Sequence, residues 1–393
     1  MSQILENTTV LDFSSGWAGS IATMVLSDFG AEVIKIEPPG GDPYRAFPQS
    51  LLWNRGKKSV VLDLQSAKGR EEAQKLAKQA DVIVESYSPG ECDAIGLGYQ
   101  DLSILRPELI YCSITGFGPK GPYAHYKPYE GVIAAKVGRY AVFTGQSGRS
   151  GPHYGAVNIA SHGAAMAAVR GIVAALIVRD KTGLGQKVET SLLQAITAYD
   201  ITNWLIWQMM IKFPDRFQED PQSDPSRLPG VGYQPIRTKD GHWIQMANII
   251  VRLFRAEMEA MGLDWVLKDS RFESAPTLMP EAREELRKLI LKRGLEKTLD
   301  EWMDIFVNKT ANVAAEPFSS TQDGMKHSQM VHNGHVQEVL DPKVGNMRQL
   351  GVLVRMSETP GSIKGPAPAL GEHTDEVLAR VVPAQIHNGT QPL

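Results

Sequence analysis

Thr9-Val10-Leu11-Asp12-Phe13, then Ser14-Ser15-Gly16, then a helix-like stretch from Ala18 to Phe29, then Glu32-Val33-Ile34-Lys35-Ile36-Glu37: this order of strand, turn, helix and strand decides the fold class. Gly30 falls where the helix must stop, a position glycine fills readily. Outward from it the alternation continues. Ser59-Val60-Val61-Leu62-Asp63-Leu64 reads as a strand, Ala67 to Gln79 as a polar helix, Asp81-Val82-Ile83-Val84-Glu85 as a strand, and Leu109-Ile110-Tyr111-Cys112-Ser113-Ile114 as another. Strands separated by helices of this length need right-handed crossovers, so the expected fold is α/β, Rossmann-like, with a mostly parallel sheet.

Beyond this frame, Gly116 to Gly155 is dense in glycine, proline and tyrosine, the texture of loops that build a site. A long helix is expected from about Ser161 to Asp180. Thr182-Gly183-Leu184-Gly185-Gln186 turns the chain, and Lys187 to Leu193 reads as a strand entering a helix. Pro221 to Pro229 is polar and proline-rich and marks a domain boundary. After it, Gly232-Tyr233-Gln234-Pro235-Ile236 and Thr238 to Met246 form a hairpin around Asp240-Gly241. Amphipathic helices are expected at Val251 to Met261, Pro280 to Arg293 and Leu299 to Val307. A short strand at Val352 to Arg355 and a helix at Thr374 to Val381 follow, with a disordered tail from Pro383 to Leu393.

The chain has 393 residues, 42% hydrophobic and 22% charged, with a net charge of −3. Nothing in that balance favours nucleic acid or an anionic membrane as partner. Two cysteines, Cys92 and Cys112, without CxxC or metal-spaced histidines, argue against a disulfide framework and a metal site. The apolar run Ala164 to Val178 is interrupted by Arg170 and is too short for a membrane span, so it is expected to be a core helix. The first residues lack a basic region before a long apolar run, and a cytoplasmic location is expected.

Five segments, in order, carry a resemblance. They are Ala31 to Asp42 (with Ile34-Lys35-Ile36-Glu37-Pro38-Pro39-Gly40-Gly41), Arg55 to Leu64, Gly116-Phe117-Gly118-Pro119-Lys120-Gly121-Pro122-Tyr123, Ala174-Ala175-Leu176 through Gln186, and Leu370-Gly371-Glu372-His373-Thr374. The chain resembles the family III CoA-transferases, the carnitine and bile-acid type, over nearly its whole length. The resemblance implies a large Rossmann-like domain from residues 1–220 and 336–393, with a smaller α+β domain at 225–335. It also implies an interlocked dimer and coenzyme A or an acyl-CoA as substrate.

In that family an aspartate attacks the acyl-CoA, passes through a mixed anhydride and an aspartyl-CoA thioester, and hands CoA to a carboxylate acceptor. Counted back from Ala174-Ala175-Leu176, its position falls on Ser161, and no Asp or Glu occurs from Arg149 to Arg179. A serine needs a base to act as nucleophile, and adjacent His162 would diverge from it on a helix. Its structural reading is a helix cap. By the same resemblance, Trp17 stands where relatives carry a loop glutamine, and Glu130 matches an acidic residue near the family site, with a loop-holding carboxylate as its plain reading. Lys127 matches a basic residue at the nucleotide, and Tyr87 and Pro89 fit the loop beside the adenine. Arg45, Arg55, Lys57 and Lys58 are further candidates for the CoA phosphates, Lys58 reading best as a surface charge. Pro38 and Ala94 replace arginines found in some relatives. Gly230-Val231-Gly232 stands where relatives have a mobile glycine loop.

Three functions follow. The first is a CoA-transferase subunit whose catalytic aspartate lies on a similar partner chain, in a heterodimer. The second is a homodimeric acyl-CoA lyase, hydratase or isomerase using Glu130, His153, Tyr154 or His162; plain racemisation is disfavoured because the racemase histidine falls on Tyr129. The third is a non-catalytic acyl-CoA binding protein. Trp17, Tyr129, Tyr140, Tyr154, Trp204 and Trp207 hint at a bulky or aromatic acid, although Trp204 and Trp207, three apart, read as helix core.

Overall fold

The computed structural model describes residues 3–139, 155, 157–215, 230–310 and 312–381. Its chain divides into two compact units. One comprises Met1–Val137, Gly155–Tyr199 and Met325–Leu393, and the other Gly138–Tyr154 and Asp200–Gly324. The boundary expected at Pro221 to Pro229 lies outside the described residues, as do Tyr140, His153, Tyr154 and the tail from Pro383.

The first unit is α/β. Strands β1 (Thr9–Asp12), β2 (Glu32–Glu37), β3 (Lys58–Val61), β4 (Val82–Glu85), β5 (Ile110–Thr115) and β6 (Lys187–Ser191) form one six-stranded sheet in the order β3-β2-β1-β4-β5-β6. Every neighbouring pair is parallel, with Val10 beside both Val33 and Val82. The order reverses between β1 and β4, which opens a crevice at the carboxyl ends of those two strands. Leu11, Ile34, Val60, Ile83 and Tyr111 fill one face together with Ala73, Leu76 and Val377. The C-terminal segment closes the β3 edge: Ser59 and Val61 donate their N–H groups to His373 Nδ1 and Thr374 Oγ1.

Helix Trp17–Asp28 packs against the long helix Ile159–Thr182, which buries the small residues Ala160, Ala164 and Ala168, while Gly163 lets Ala195 and Tyr199 come close. The long helix has 24 residues, more than its apolar run suggested, and by length and composition alone it could cross a membrane. One of its faces, however, is packed on helices Trp17–Asp28 and Leu192–Ala198. Residues 352–355 form no strand. Instead β10 (Val336–Asp341) and β11 (Gly345–Leu350) make an antiparallel hairpin, and its pairing ends where the Gly351 N–H turns to His335 O.

The second unit holds β7 (Pro235–Arg237), β8 (Trp243–Met246) and β9 (Ala315–Pro317) in an antiparallel sheet. Helices Val251–Ala260, Pro280–Gly294 and Leu299–Met303 surround a core of Ile244, Phe254, Ile290 and Trp302. Thr298 and Glu301 close a capping box, so the helix start was readable. Its end is not α-helical: Asp304–Lys309 continues as a π-helix. Trp204 and Trp207 sit on helix Ile201–Lys212 and are 48% and 51% exposed, so neither is core within this chain. The apolar residues of that helix run around several sides, more than one face can bury.

Candidate functional site

The carboxyl ends of β1, β4 and β5 open into a cavity of about 690 Å³. Ser15, Gly16 and Trp17 line it from the β1 turn, Ser86, Tyr87 and Pro89 from the β4 loop, and Thr115 and Gly116 from β5. Two bonds staple the first loops together: Ser15 N–H donates to Ser86 Oγ at 2.9 Å, and Ser86 Oγ donates to Ser15 O at 3.1 Å. Gly16 has φ 85°, a backbone conformation that calls for glycine, and a Cβ there would stand close to the Tyr44 ring, at 3.3 Å. A larger groove, about 880 Å³, is bounded by Gln3, Thr9, Glu32 and Lys364. It lies at the amino ends of β1 and β2, away from the switch point where such sheets bind ligands.

Trp17, Tyr87, Pro89, Lys127, Glu130 and Ser161 all line the cavity. Ser161 is not the cap of the long helix. The helix begins at Ile159, and Asn158 caps it without a side-chain bond. The missing acceptors come from Glu130, the first residue of helix Glu130–Lys136. Its Oε1 accepts the Ala160 N–H at 2.7 Å, and its Oε2 accepts the Ser161 N–H at 3.0 Å and the Ser161 hydroxyl at 2.7 Å. A carboxylate suits this place because orphan N–H groups and the helix dipole both favour negative charge. His162 does not reach Ser161; its Nδ1 pairs with Asn158 O at 2.7 Å, and its ring lies 6.3 Å from that of Trp17. Trp17 packs on the buried Trp53 with ring centroids 4.7 Å apart.

Tyr87 is partly buried on the sheet core, and burial, followed by Cys92 and Glu85, pushes its phenol up to about 12. Lys127 is exposed. Both cysteines are buried, and burial pushes each thiol up to about 12, so neither is poised as a thiolate.

The structure corrects three candidates for the CoA phosphates. Arg55 is fully buried, bonded to both Asp28 oxygens at 3.2 and 2.6 Å and to Leu350 O. Lys57 is also inside, donating to Asp12 Oδ2 at 3.0 Å, Thr23 Oγ1 at 2.7 Å and Ser20 O at 3.1 Å. Burial lowers its pKa to about 8 against the pull of Asp12. Burial alone would raise the Asp12 carboxyl, but Lys57, Lys35, Ser14 and Thr23 hold it well below the usual range. Arg45 is committed to Glu37 through Nε at 2.6 Å and Nη2 at 2.7 Å, and to Pro368 O through Nη1 at 3.0 Å. None of the three lines the cavity. Lys58 pairs with Glu32 and Glu376 at the surface, as a solvated charge does.

Among the lining residues that the sequence reading did not single out are the aromatics Tyr44, Phe47 and Tyr126; Tyr44 and Phe47 stand together in the chain. Their one signal in the sequence is an aromatic pair three apart just after Gly40-Gly41-Asp42.

The CoA-transferase family III model matches residues 5–374 of this chain. The mouse succinyl-CoA:glutarate CoA-transferase is 32% identical over 96% of this chain and 86% of its own length. A formyl-CoA:oxalate CoA-transferase of Rhodopseudomonas palustris is 31% identical over 97% and 94%. Among solved structures, Rv3272 of Mycobacterium tuberculosis superposes with a TM-score of 0.80 at 25% identity, covering 95% of this chain and 98% of that one. A CAIB/BAIF family protein of Brucella suis gives 0.79 at 26%, covering 97% and 100%.

Proposed function

The chain belongs to CoA-transferase family III, and we propose that it is one subunit of an enzyme whose catalytic aspartate lies on a second, similar chain. Members of the family move CoA between a CoA thioester and a carboxylic acid. In this reading the partner's carboxylate attacks the donor thioester and releases CoA thiolate. The thiolate then attacks the enzyme's acyl carbonyl, expels the donor acid and leaves an enzyme–CoA thioester. The acceptor carboxylate attacks that thioester to form a second anhydride, and the freed thiolate takes its acceptor carbonyl, giving the new CoA thioester and the free aspartate.

One observation carries the reading. The carboxylate at the N-terminus of the long helix is Glu130, and its oxygens are committed to Ala160 and Ser161. A carboxylate clasped by three donors is a poor nucleophile, because attack must first give up those bonds. Ser161 in turn donates its hydroxyl to that carboxylate, and His162, the next residue, is turned to Asn158 O instead. This chain would then supply half of an interlocked heterodimer and the walls of a pocket for a bulky or aromatic acid. Lys127, Tyr87 and Pro89 would meet the nucleotide, and the cytoplasm, suited to two unpaired cysteines, would be the location.

The test is transfer of CoA from succinyl-CoA to a panel of carboxylic acids. It is run first with the purified chain and then with the chain co-expressed with a family member that carries the aspartate. Transfer only in the mixture is expected; transfer by this chain alone would overturn the assignment.

A further inference from the structure

We propose that Tyr44 and Phe47 form the wall that selects the acyl group, that the group selected carries a flat ring, and that Arg45 is the positioning residue holding this wall. The inference rests on the acyl-CoA reading above.

The two rings sit on either end of the single 3-10 turn Pro43–Ala46. A turn this short has little stability of its own, and here buried charge fixes it from both sides. Asp42 accepts from the Tyr44 N–H at 3.0 Å and from Ser15 Oγ at 2.9 Å, and it pairs with Lys35 at 3.2 Å. Glu37 takes two Arg45 nitrogens, the Ser59 hydroxyl at 2.7 Å and the Asp42 N–H at 3.2 Å. Lys35 and Glu37 are each 1% exposed. Ions so far from water are tolerated only when every partner is in place, which leaves the turn one position.

What that network holds still is aromatic. The Tyr44 ring lies on Gly16, and the Phe47 ring packs on Tyr44 with centroids 5.6 Å apart at 35°. Trp17, the next residue after Gly16, is braced from behind by Trp53. Tyr44, Phe47 and Trp17 all line the cavity, yet Phe47 remains 47% exposed. Arg45, the cation nearest in sequence to these rings, is taken by Glu37 and Pro368. This wall therefore offers stacking and no charge, which matches an acyl group and not the phosphates of CoA. Fixed rings reward a flat partner more than a flexible chain of equal area.

The experiment is calorimetric titration of the full chain with CoA, acetyl-CoA and benzoyl-CoA. Benzoyl-CoA should bind about tenfold more tightly than acetyl-CoA, which corresponds to ~1.4 kcal/mol. Phe47→Leu keeps an apolar side chain at an exposed position and should bring that ratio close to one, chiefly by weakening benzoyl-CoA. Arg45→Met should lower the ratio in the same way, a change that a general loss of folded protein would not produce. If all three probes bind equally, or if Phe47→Leu leaves the preference intact, the selecting wall is refuted while acyl-CoA handling stands. If none of the three binds, the acyl-CoA reading of this chain's pocket falls first, and the wall with it.

Discussion

Glu130 in the first unit is a half-buried carboxylate lining the cavity and Glu257 in the second is a fully buried one, and what separates them most is their hydrogen-bond partners. Glu130 accepts from two backbone N–H groups and a hydroxyl. Glu257, on helix Val251–Ala260, is fully buried, and neither oxygen has a hydrogen-bond partner among the described residues. Burial pushes the Glu257 carboxyl up to about 8, against a weaker pull from Asn248. The first unit buries charge only with partners supplied, as at Asp12–Lys57 and Asp28–Arg55. The second instead holds a carboxyl in its protonated form. The difference teaches that the buried charge beneath the pocket, at Asp12–Lys57 and Asp28–Arg55, is structural scaffolding, and that charge in the second unit's core is a pH liability.

The contrast can be broken most forcefully at Asp12. Asp12→Ala strands Lys57 inside the sheet and should cost about 3–5 kcal/mol in denaturant unfolding. A cost below about 1 kcal/mol would mean the pair contributes little. Next comes Glu130→Ala, which leaves the Ala160 and Ser161 N–H groups without acceptors. It should destabilise the chain by about 1–3 kcal/mol. Glu130→Gln keeps one acceptor oxygen and should lose less, so the gap between the two variants measures the clasp itself. Lys127→Ala should weaken CoA binding about tenfold, the value of one charge-assisted contact, without changing stability.

Glu257 gives the smallest change at low pH. Its folded pKa, about 8, lies above the ordinary value of 4.5. The bound proton therefore stabilises the fold fully below that ordinary value, and the contribution is lost as pH rises through about 8. Glu257→Gln should flatten that decline. Thermal midpoints of variant and parent should differ little near pH 5, with the variant higher above about pH 8. Parallel pH profiles would contradict the assignment.

The sheet was legible because its strands are apolar runs spaced by helices, and β2 runs over Glu32–Glu37 as expected. Helix Glu130–Lys136 was not, since it is short and follows a stretch of glycine, proline and tyrosine that suppresses periodicity. Within the site, Trp17, Glu130 and Ser161 were named from sequence, but the bond between the last two spans 31 residues and no local pattern announces it. Arg55 and Lys57 were misassigned for a related reason. A charged residue reads as surface unless its counter-ion is known, and theirs lie 27 and 45 residues away. Tyr44 and Phe47 gave too slight a signal, because their role depends on a turn fixed by Glu37 and Lys35.

The most direct test of the central claim is to trap the covalent intermediate. A mixture of this chain with an aspartate-bearing family member is incubated with succinyl-CoA and quenched with hydroxylamine, and the modified carboxylate is located by peptide mass spectrometry. Modification on the partner's aspartate, with the peptides holding Glu130 and Ser161 unchanged, is the expected result. A hydroxamate on Glu130, or an acyl group on Ser161, would show that this chain carries its own nucleophile and would contradict the account.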